Sequence, residues 1–327
     1  MDGIKRGEMV KPVLFVSGLG NSLQRAENIS ALYEAYKGPK EFRRAGDRDF
    51  VNVVGSGMFD VMVIDVFPTV KPKKSIMIWH AIQGGKYIGL DEPKSYYQKD
   101  MSRLIDYIVV PGIGGAEMFN RCTGVEKERI LILGMPRTDR YIGKKKGDGC
   151  TFLANKKAYL YVPTFRNSRE DPIWDIDWHA IDDRLNDDEI LAVKPHPYGK
   201  PFAIRGCKHI VQIDKMEPSV NYLYDANVVI TDYSSIMFDA YLLGIPVVLF
   251  EKGRGYVEKR GMYLKYPDQY SSWYCTNEND LVSAARLADV YGITNIEREC
   301  IDYVADMCDG HSCERICKFI EEVNRNG

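Results

Sequence analysis

Short apolar runs alternate along this chain with longer charged stretches whose apolar residues recur at helical spacing. In the first half the pattern predicts strands at Pro12 to Val16, Phe50 to Val54, Val61 to Val66, Ile76 to Trp79, Tyr107 to Val110 and Ile130 to Leu133. Helical segments interleave them, among them Asn28 to Lys37 and Pro93 to Ile105. In the second half the predicted strands are Ala158 to Val162, Ile190 to Val193, Ile210 to Gln212, Val228 to Thr231 and Pro246 to Phe250. Leu281 to Leu287 and Ser312 to Asn324 read as helices. Helices that cross over between parallel strands produce this alternation, so the fold class is α/β.

At 327 residues and 37.3 kDa the chain has the length of two ordinary domains. The polar, glycine-rich run from Gly143 to Cys150 has a linker's composition. A boundary within it divides residues 1–147 from 148–327. Two parallel α/β domains are expected to face a central cleft, and open parallel sheets bind ligands beyond the carboxyl ends of their strands. Candidate chemistry is therefore sought just past the strands.

Composition narrows the classes. Hydrophobic residues at 45% and charged residues at 28% exclude a disordered or fibrous chain. The balance of 44 Lys plus Arg against 46 Asp plus Glu gives a net charge of −2 and no general basic field for nucleic acid. The longest apolar stretches, such as Leu242 to Phe250, are far too short to span a bilayer. The first residues lack a secretory signal's apolar core, and the expectation is a cytoplasmic protein. The eight cysteines are sparse and unevenly spaced, and read as reduced thiols. Those near His311 form no CxxC pair and do not read as a zinc site.

The most informative stretch runs from Asn227 to Phe250. A buried strand ends at Thr231, and Asp232, Ser234 and Ser235 then precede an amphipathic helix. Hydroxyls, backbone N–H groups and the positive helix end suit a phosphate or pyrophosphate there, although plain capping explains the same residues equally well. Asp239, one turn on, reads either as a partner for a ribose or acceptor hydroxyl or as a solvated helix residue. His80 ends the apolar run Ile76 to Trp79 and opens a glycine-containing loop with Lys86. An imidazole presented there suits proton abstraction from a hydroxyl. Lys194 and His196 follow another strand, with Pro195 and Pro197 restricting the backbone. Thr164 and Arg166 follow the strand ending at Val162, where a guanidinium suits a pyrophosphate. Arg137 reads equally as a ligand contact or as an ion pair with Asp139 or another neighbour. His179, His209 and His311 have no comparable setting and read as structural. Neither a P-loop nor a dinucleotide fingerprint is present, although GLGNS at Gly18 to Ser22 faintly echoes the latter.

Taken in order, WHAIQGGKYIG, LGMPRTDRY, PTFRNS, KPHP, TDYSSIMFDAYLLGIPVVLF, YVEKRGMYL and CDGHSCERI resemble the signature blocks of the CDP-glycerol glycerophosphotransferases, the teichoic-acid primases and polymerases. The resemblance runs from about Met58 to Ile320 and leaves the first 55 or so residues without a specific match. It implies a GT-B-like fold of two Rossmann-like domains, the N-terminal one on the acceptor side and the C-terminal one on the nucleotide-donor side. The final helix would be able to return to the first domain. It further implies that His80 is the base, that His196 handles phosphate, and that Asp232, Tyr233, Ser234 and Ser235 form the donor site. Arg166 and Lys86 match basic positions of the corresponding blocks.

Two blocks depart from the family pattern. Ala81, Ile82 and Gln83 replace a frequent Gly-Thr-Pro, and Tyr270 to Tyr274 replaces a Pro-Gly-Pro. These differences bear on the polyol and the acceptor more than on the reaction class.

The implied reaction moves a polyol phosphate, glycerol before ribitol, from a CDP-activated donor to a hydroxyl of a lipid-linked or polymeric wall or capsule acceptor, releasing CMP. No tightly bound metal is required of it, and loosely bound magnesium stays open. Lys71, Lys73, Lys74, Arg43 and Arg44 raise the question of a peripheral contact at the inner membrane face, with solvated loop charge the favoured explanation. The alternatives are a sugar-nucleotide glycosyltransferase or epimerase on the same fold, and a non-catalytic nucleotide-binding assembly protein.

Overall fold

The structure, a computed structural model, describes residues 10–18, 27–85, 101–149, 151–164, 175–197, 199, 202–252 and 261–326. The chain divides into two compact units. The first comprises Met1–Ile82, Leu90–Arg140 and Ala305–Gly327, and the second Gln83–Gly89 and Tyr141–Val304. The division at Arg140–Tyr141 precedes the polar run that begins at Gly143.

The first unit holds strands β1 (Val13–Ser17), β2 (Lys40–Arg44), β3 (Val61–Ile64), β4 (Lys74–Ile78), β5 (Tyr107–Val110) and β6 (Ile130–Ile132). They form one six-stranded sheet in the order β2-β1-β3-β4-β5-β6, and every adjacent pair is parallel. Strands such as VLFV and VMVI are apolar at consecutive positions because a parallel sheet is covered on both faces. Val13, Phe15, Val61, Val63, Ile76 and Ile78 form the core with Ile29 and Leu32 of the helix Glu27–Ala35. Ile316 and Ile320 of the last helix, Ser312–Arg325, join that same core.

Two segments of this unit escape the apolar pattern. Phe50–Gly55, expected as a strand, is a helix: Phe50 and Val54, four residues apart, are buried while Val51 is 58% exposed. That is helical spacing, and it outweighs the strand preference of a valine-rich run. Conversely, KEFRR forms β2 although its single apolar residue gives no alternation, because an edge strand needs only one pairing partner. Of the helix predicted from Pro93 to Ile105, Met101–Leu104 is helical and residues 93–100 lie outside the described residues.

The second unit holds β7 (Lys157–Tyr161), β8 (Glu189–Val193), β9 (Ile210–Gln212), β10 (Val228–Thr231), β11 (Val247–Phe250) and β12 (Trp273–Cys275). Its order is β12-β11-β10-β7-β8-β9, again parallel throughout. In each sheet the chain starts inside and builds outward in both directions. The order therefore reverses between β1 and β3 in the first unit and between β7 and β10 in the second. These reversals open the crevices in which such sheets bind ligands.

Candidate functional site

In the second unit, Thr164 follows β7 and Asp232 follows β10, so the two stand on either side of the reversal. Asp232 is buried, and its Oδ1 accepts the Thr164 amide at 2.8 Å and the Tyr233 amide at 2.7 Å. One carboxylate oxygen thus shapes both loops. The Thr164 side chain is 3% exposed, and its hydroxyl meets no hydrogen-bond partner among the described residues. Tyr233 is buried, donates to Glu251 just past β11, and packs its ring 5.0 Å from that of Tyr266.

Ser234 and Ser235 are half-buried and lead into the helix Ile236–Leu242. Ser235 occupies the cap position without a side-chain capping bond, so the capping expected of it is not made. Asp239 is not a solvated helix residue: it is 2% exposed and accepts the hydroxyl of the equally buried Tyr141. Past β8, Lys194 is buried and donates to the carbonyls of Lys215 at 3.1 Å and Pro195 at 3.5 Å. His196 is half-buried in a turn closed by the Gly199 amide on its carbonyl at 2.8 Å.

In the first unit, His80 lies two residues past β4 and is exposed. Its ring lies 4.5 Å from the Trp79 ring, which packs in turn against Phe67 and Phe119. Arg137, after β6, is 8% exposed, with its guanidinium 3.6 Å from Glu27. The partner weighed for it, Asp139, is used elsewhere and accepts the amides of Ser312 and Cys313 at the start of the last helix. Lys86 and Arg166 lie outside the described residues.

Three further groups escaped the sequence pattern. Asp65, one residue past β3, accepts the Ser17 hydroxyl at 2.6 Å and the Gly18 amide at 2.9 Å, which repeats at the first reversal what Asp232 does at the second. Burial pushes the Asp65 carboxyl above the usual carboxylate range. Asn28 bridges Trp79 and Arg137. Tyr270 donates from its hydroxyl to the Gly84 carbonyl at 2.6 Å, one residue past Gln83. The apolar run before Asp65 is a usable signal, because an aspartate directly past a buried strand marks a sheet edge. Asn28 and Tyr270 carry no such mark.

Family comparison places the chain. The model described as CDP-Glycerol:Poly(glycerophosphate) glycerophosphotransferase matches residues 53–322. The chain belongs to this family.

The reaction class it shares with its relatives is transfer of a polyol phosphate. A teichoic acid glycerol-phosphate primase of Bacillus subtilis (strain 168) is 27% identical over 271 residues, covering 77% of this chain and 69% of the primase. A teichoic acid poly(ribitol-phosphate) polymerase of Bacillus spizizenii is 25% identical over 283 residues, covering 78% of this chain and 45% of the polymerase. The chain therefore spans under half of that second relative. Among solved structures, the wall teichoic acid polymerase TagF superposes with a TM-score of 0.76 at 18% identity, covering 97% of this chain and 90% of TagF. The transferase family's GT-B-like α/β fold, expected from the motifs, is thus present. Among the described residues no helix is long and apolar enough to cross a membrane, and the seven cysteines there form no disulfide with one another.

Proposed function

We propose that this transferase moves glycerol phosphate from CDP-glycerol to a hydroxyl of a lipid-linked or polymeric acceptor. His80 takes the proton of the acceptor hydroxyl as its oxygen attacks the phosphorus that bears the glycerol. The bond from that phosphorus to the CMP oxygen breaks, and CMP leaves with the electron pair. His196, Lys194, Arg166 and Lys86 hold the pyrophosphate and offset the charge gathering on CMP. Thr164, Tyr233, Ser234 and Ser235 line the donor side, kept in register by Asp232, while Arg137 and Asp239 complete the group.

One observation carries the reading. A family match across residues 53–322 coincides with an exposed imidazole past β4 and an aspartate-tied pair of loops at the sheet reversal of the second unit. The CDP-linked donor is supported by the family description and by a TagF structure obtained after a CDPG soak. In this reading the acceptor brings the protein to the inner membrane face. Lys71 and Lys73 add little to that contact, since Asp106 and Asp60 engage them. Catalysis needs no tightly bound metal here, and activity that survives a chelator checks this.

The test is CMP release from CDP-glycerol and from CDP-ribitol with a synthetic amphiphilic acceptor, using the wild type, His80→Ala and His196→Ala. Acceptor-dependent release that falls at least about a hundredfold in His80→Ala supports the base assignment. UDP release from a UDP-sugar, in preference to CMP release from either CDP donor, would overturn the donor assignment.

A further inference from the structure

Asn28 lies in the first turn of the helix Glu27–Ala35, ahead of the segment that the family model covers. It is 3% exposed, and both ends of its carboxamide are in use. Nδ2 donates to the Trp79 carbonyl at 2.9 Å, and Oδ1 accepts the Arg137 amide at 3.1 Å. The orientation follows from chemistry, since a carbonyl needs a donor and an amide needs an acceptor.

The Trp79 carbonyl belongs to the peptide plane that enters His80. Holding that carbonyl restricts rotation of the plane, and with it the direction in which the His80 side chain leaves the backbone. The Trp79 ring packs against Phe67 and Phe119, which restrains the residue that carries this carbonyl. The second end of the carboxamide ties this plane to the turn Pro136–Arg140, so the loop after β4 and the loop after β6 share one anchor. Glu27, next to Asn28, adds the contact with the Arg137 guanidinium.

We infer that Asn28 is a positioning residue for His80, placed outside the family's matched segment. The inference rests on the reading of His80 as the base. A side chain that must be both donor and acceptor at this length leaves few substitutes. Aspartate keeps the size and the bond from Arg137 but turns an oxygen toward the Trp79 carbonyl, and alanine removes both bonds.

The experiment compares wild type, Asn28→Ala, Asn28→Asp and His80→Ala for CMP release from CDP-glycerol with the same acceptor. Protein labelled with 13C at histidine supplies the second readout; five histidines keep the spectrum simple, and His80→Ala assigns the His80 ring signal. The expected result is a kcat at least about tenfold lower in both Asn28 variants, because a small misplacement of a reacting group is costly. The donor KM should stay within about twofold, since Asn28 acts on geometry rather than on donor binding. The His80 resonance and its titration should shift.

Wild-type kcat and an unmoved His80 resonance in Asn28→Asp, with His80→Ala inactive, would overturn the inference. Full activity in His80→Ala would overturn the base reading instead, and the resonance would still report whether Asn28 holds the ring. If Asn28→Ala fails to fold, Asn28→Asp carries the test.

Discussion

Asp232 accepts the Thr164 amide at 2.8 Å and so ties the loop after β10 to the loop after β7, across the point where strand order reverses. Its Oδ1 also takes the Tyr233 amide, and all three residues are buried. Asp232→Ala strands two buried N–H groups, at about 1–3 kcal/mol each. We expect a lower thermal midpoint and a raised donor KM. Asp232→Asn keeps an acceptor and should be milder in both. Calorimetric titration with CDP, alongside thermal unfolding, checks this; unchanged CDP affinity in the folded alanine variant would detach Asp232 from the donor side.

Asp139 caps a helix far from it in sequence. Its two oxygens accept the amides of Ser312 at 3.0 Å and Cys313 at 2.6 Å. A carboxylate at a helix start satisfies unpaired N–H groups and opposes the helix dipole. Asp139→Ala should cost about 1–2 kcal/mol, as other cap removals do. Chemical denaturation measures it, and Asp139→Asn should recover part of the loss.

Glu189 gives stability a dependence on acid. Its side chain is 2% exposed and receives the Arg286 guanidinium at 2.6 Å and 2.9 Å, with the Tyr159 hydroxyl and the Asn186 amide as further donors. The Arg286 bonds above all hold its carboxyl down at about 2. A carboxyl depressed in the folded state stabilises above its unfolded value, and that stability is lost as pH falls toward the folded value. The depression corresponds to roughly 3 kcal/mol, lost between about pH 5 and pH 2. Glu189→Gln should be less stable at neutral pH and show a flatter fall in midpoint over that window.

Tyr270 holds a loop that lies 186 positions before it. Its buried hydroxyl donates to the Gly84 carbonyl at 2.6 Å and accepts the Leu264 amide at 3.0 Å. Gly84 sits at φ +126, and a Cβ there would lie 2.2 Å from a Val304 methyl carbon, so the loop tolerates no side chain at that point. Tyr270→Phe leaves the Leu264 amide and the Gly84 carbonyl without this partner and should lower stability by about 1–3 kcal/mol. If the loop from Ala81 to Gly85 serves acceptor recognition, acceptor KM should rise while donor KM stays unchanged. Equal movement of both constants would remove that role.

Much of the fold was legible because a parallel strand buried on both faces must be apolar at successive positions. Tyr107–Val110, Ile210–Gln212 and Val228–Thr231 have the bounds that the apolar runs predict. Legibility fails at sheet edges and in short helices. β2 is polar because one side of it lacks a strand, and Phe50–Gly55 is helical because only three-dimensional packing tells which of its valines faces inward.

For the site, the motif blocks identify residues that stand just past strands, such as His80, Thr164 and Asp232, since exposed chemistry at a sheet edge must follow an apolar run. The sequence by itself therefore determined the class of fold, the family and the candidate side chains that stand past the strands. Tertiary structure alone decided which groups hold them. Asn28 and Arg137 are 109 positions apart, Asp139 and Ser312 173, and Tyr270 and Gly84 186. Each pair meets through a hydrogen bond whose partner is a backbone group. Every residue carries a backbone amide or carbonyl, so no pattern of side chains along the chain marks which of them a distant asparagine, aspartate or tyrosine will reach.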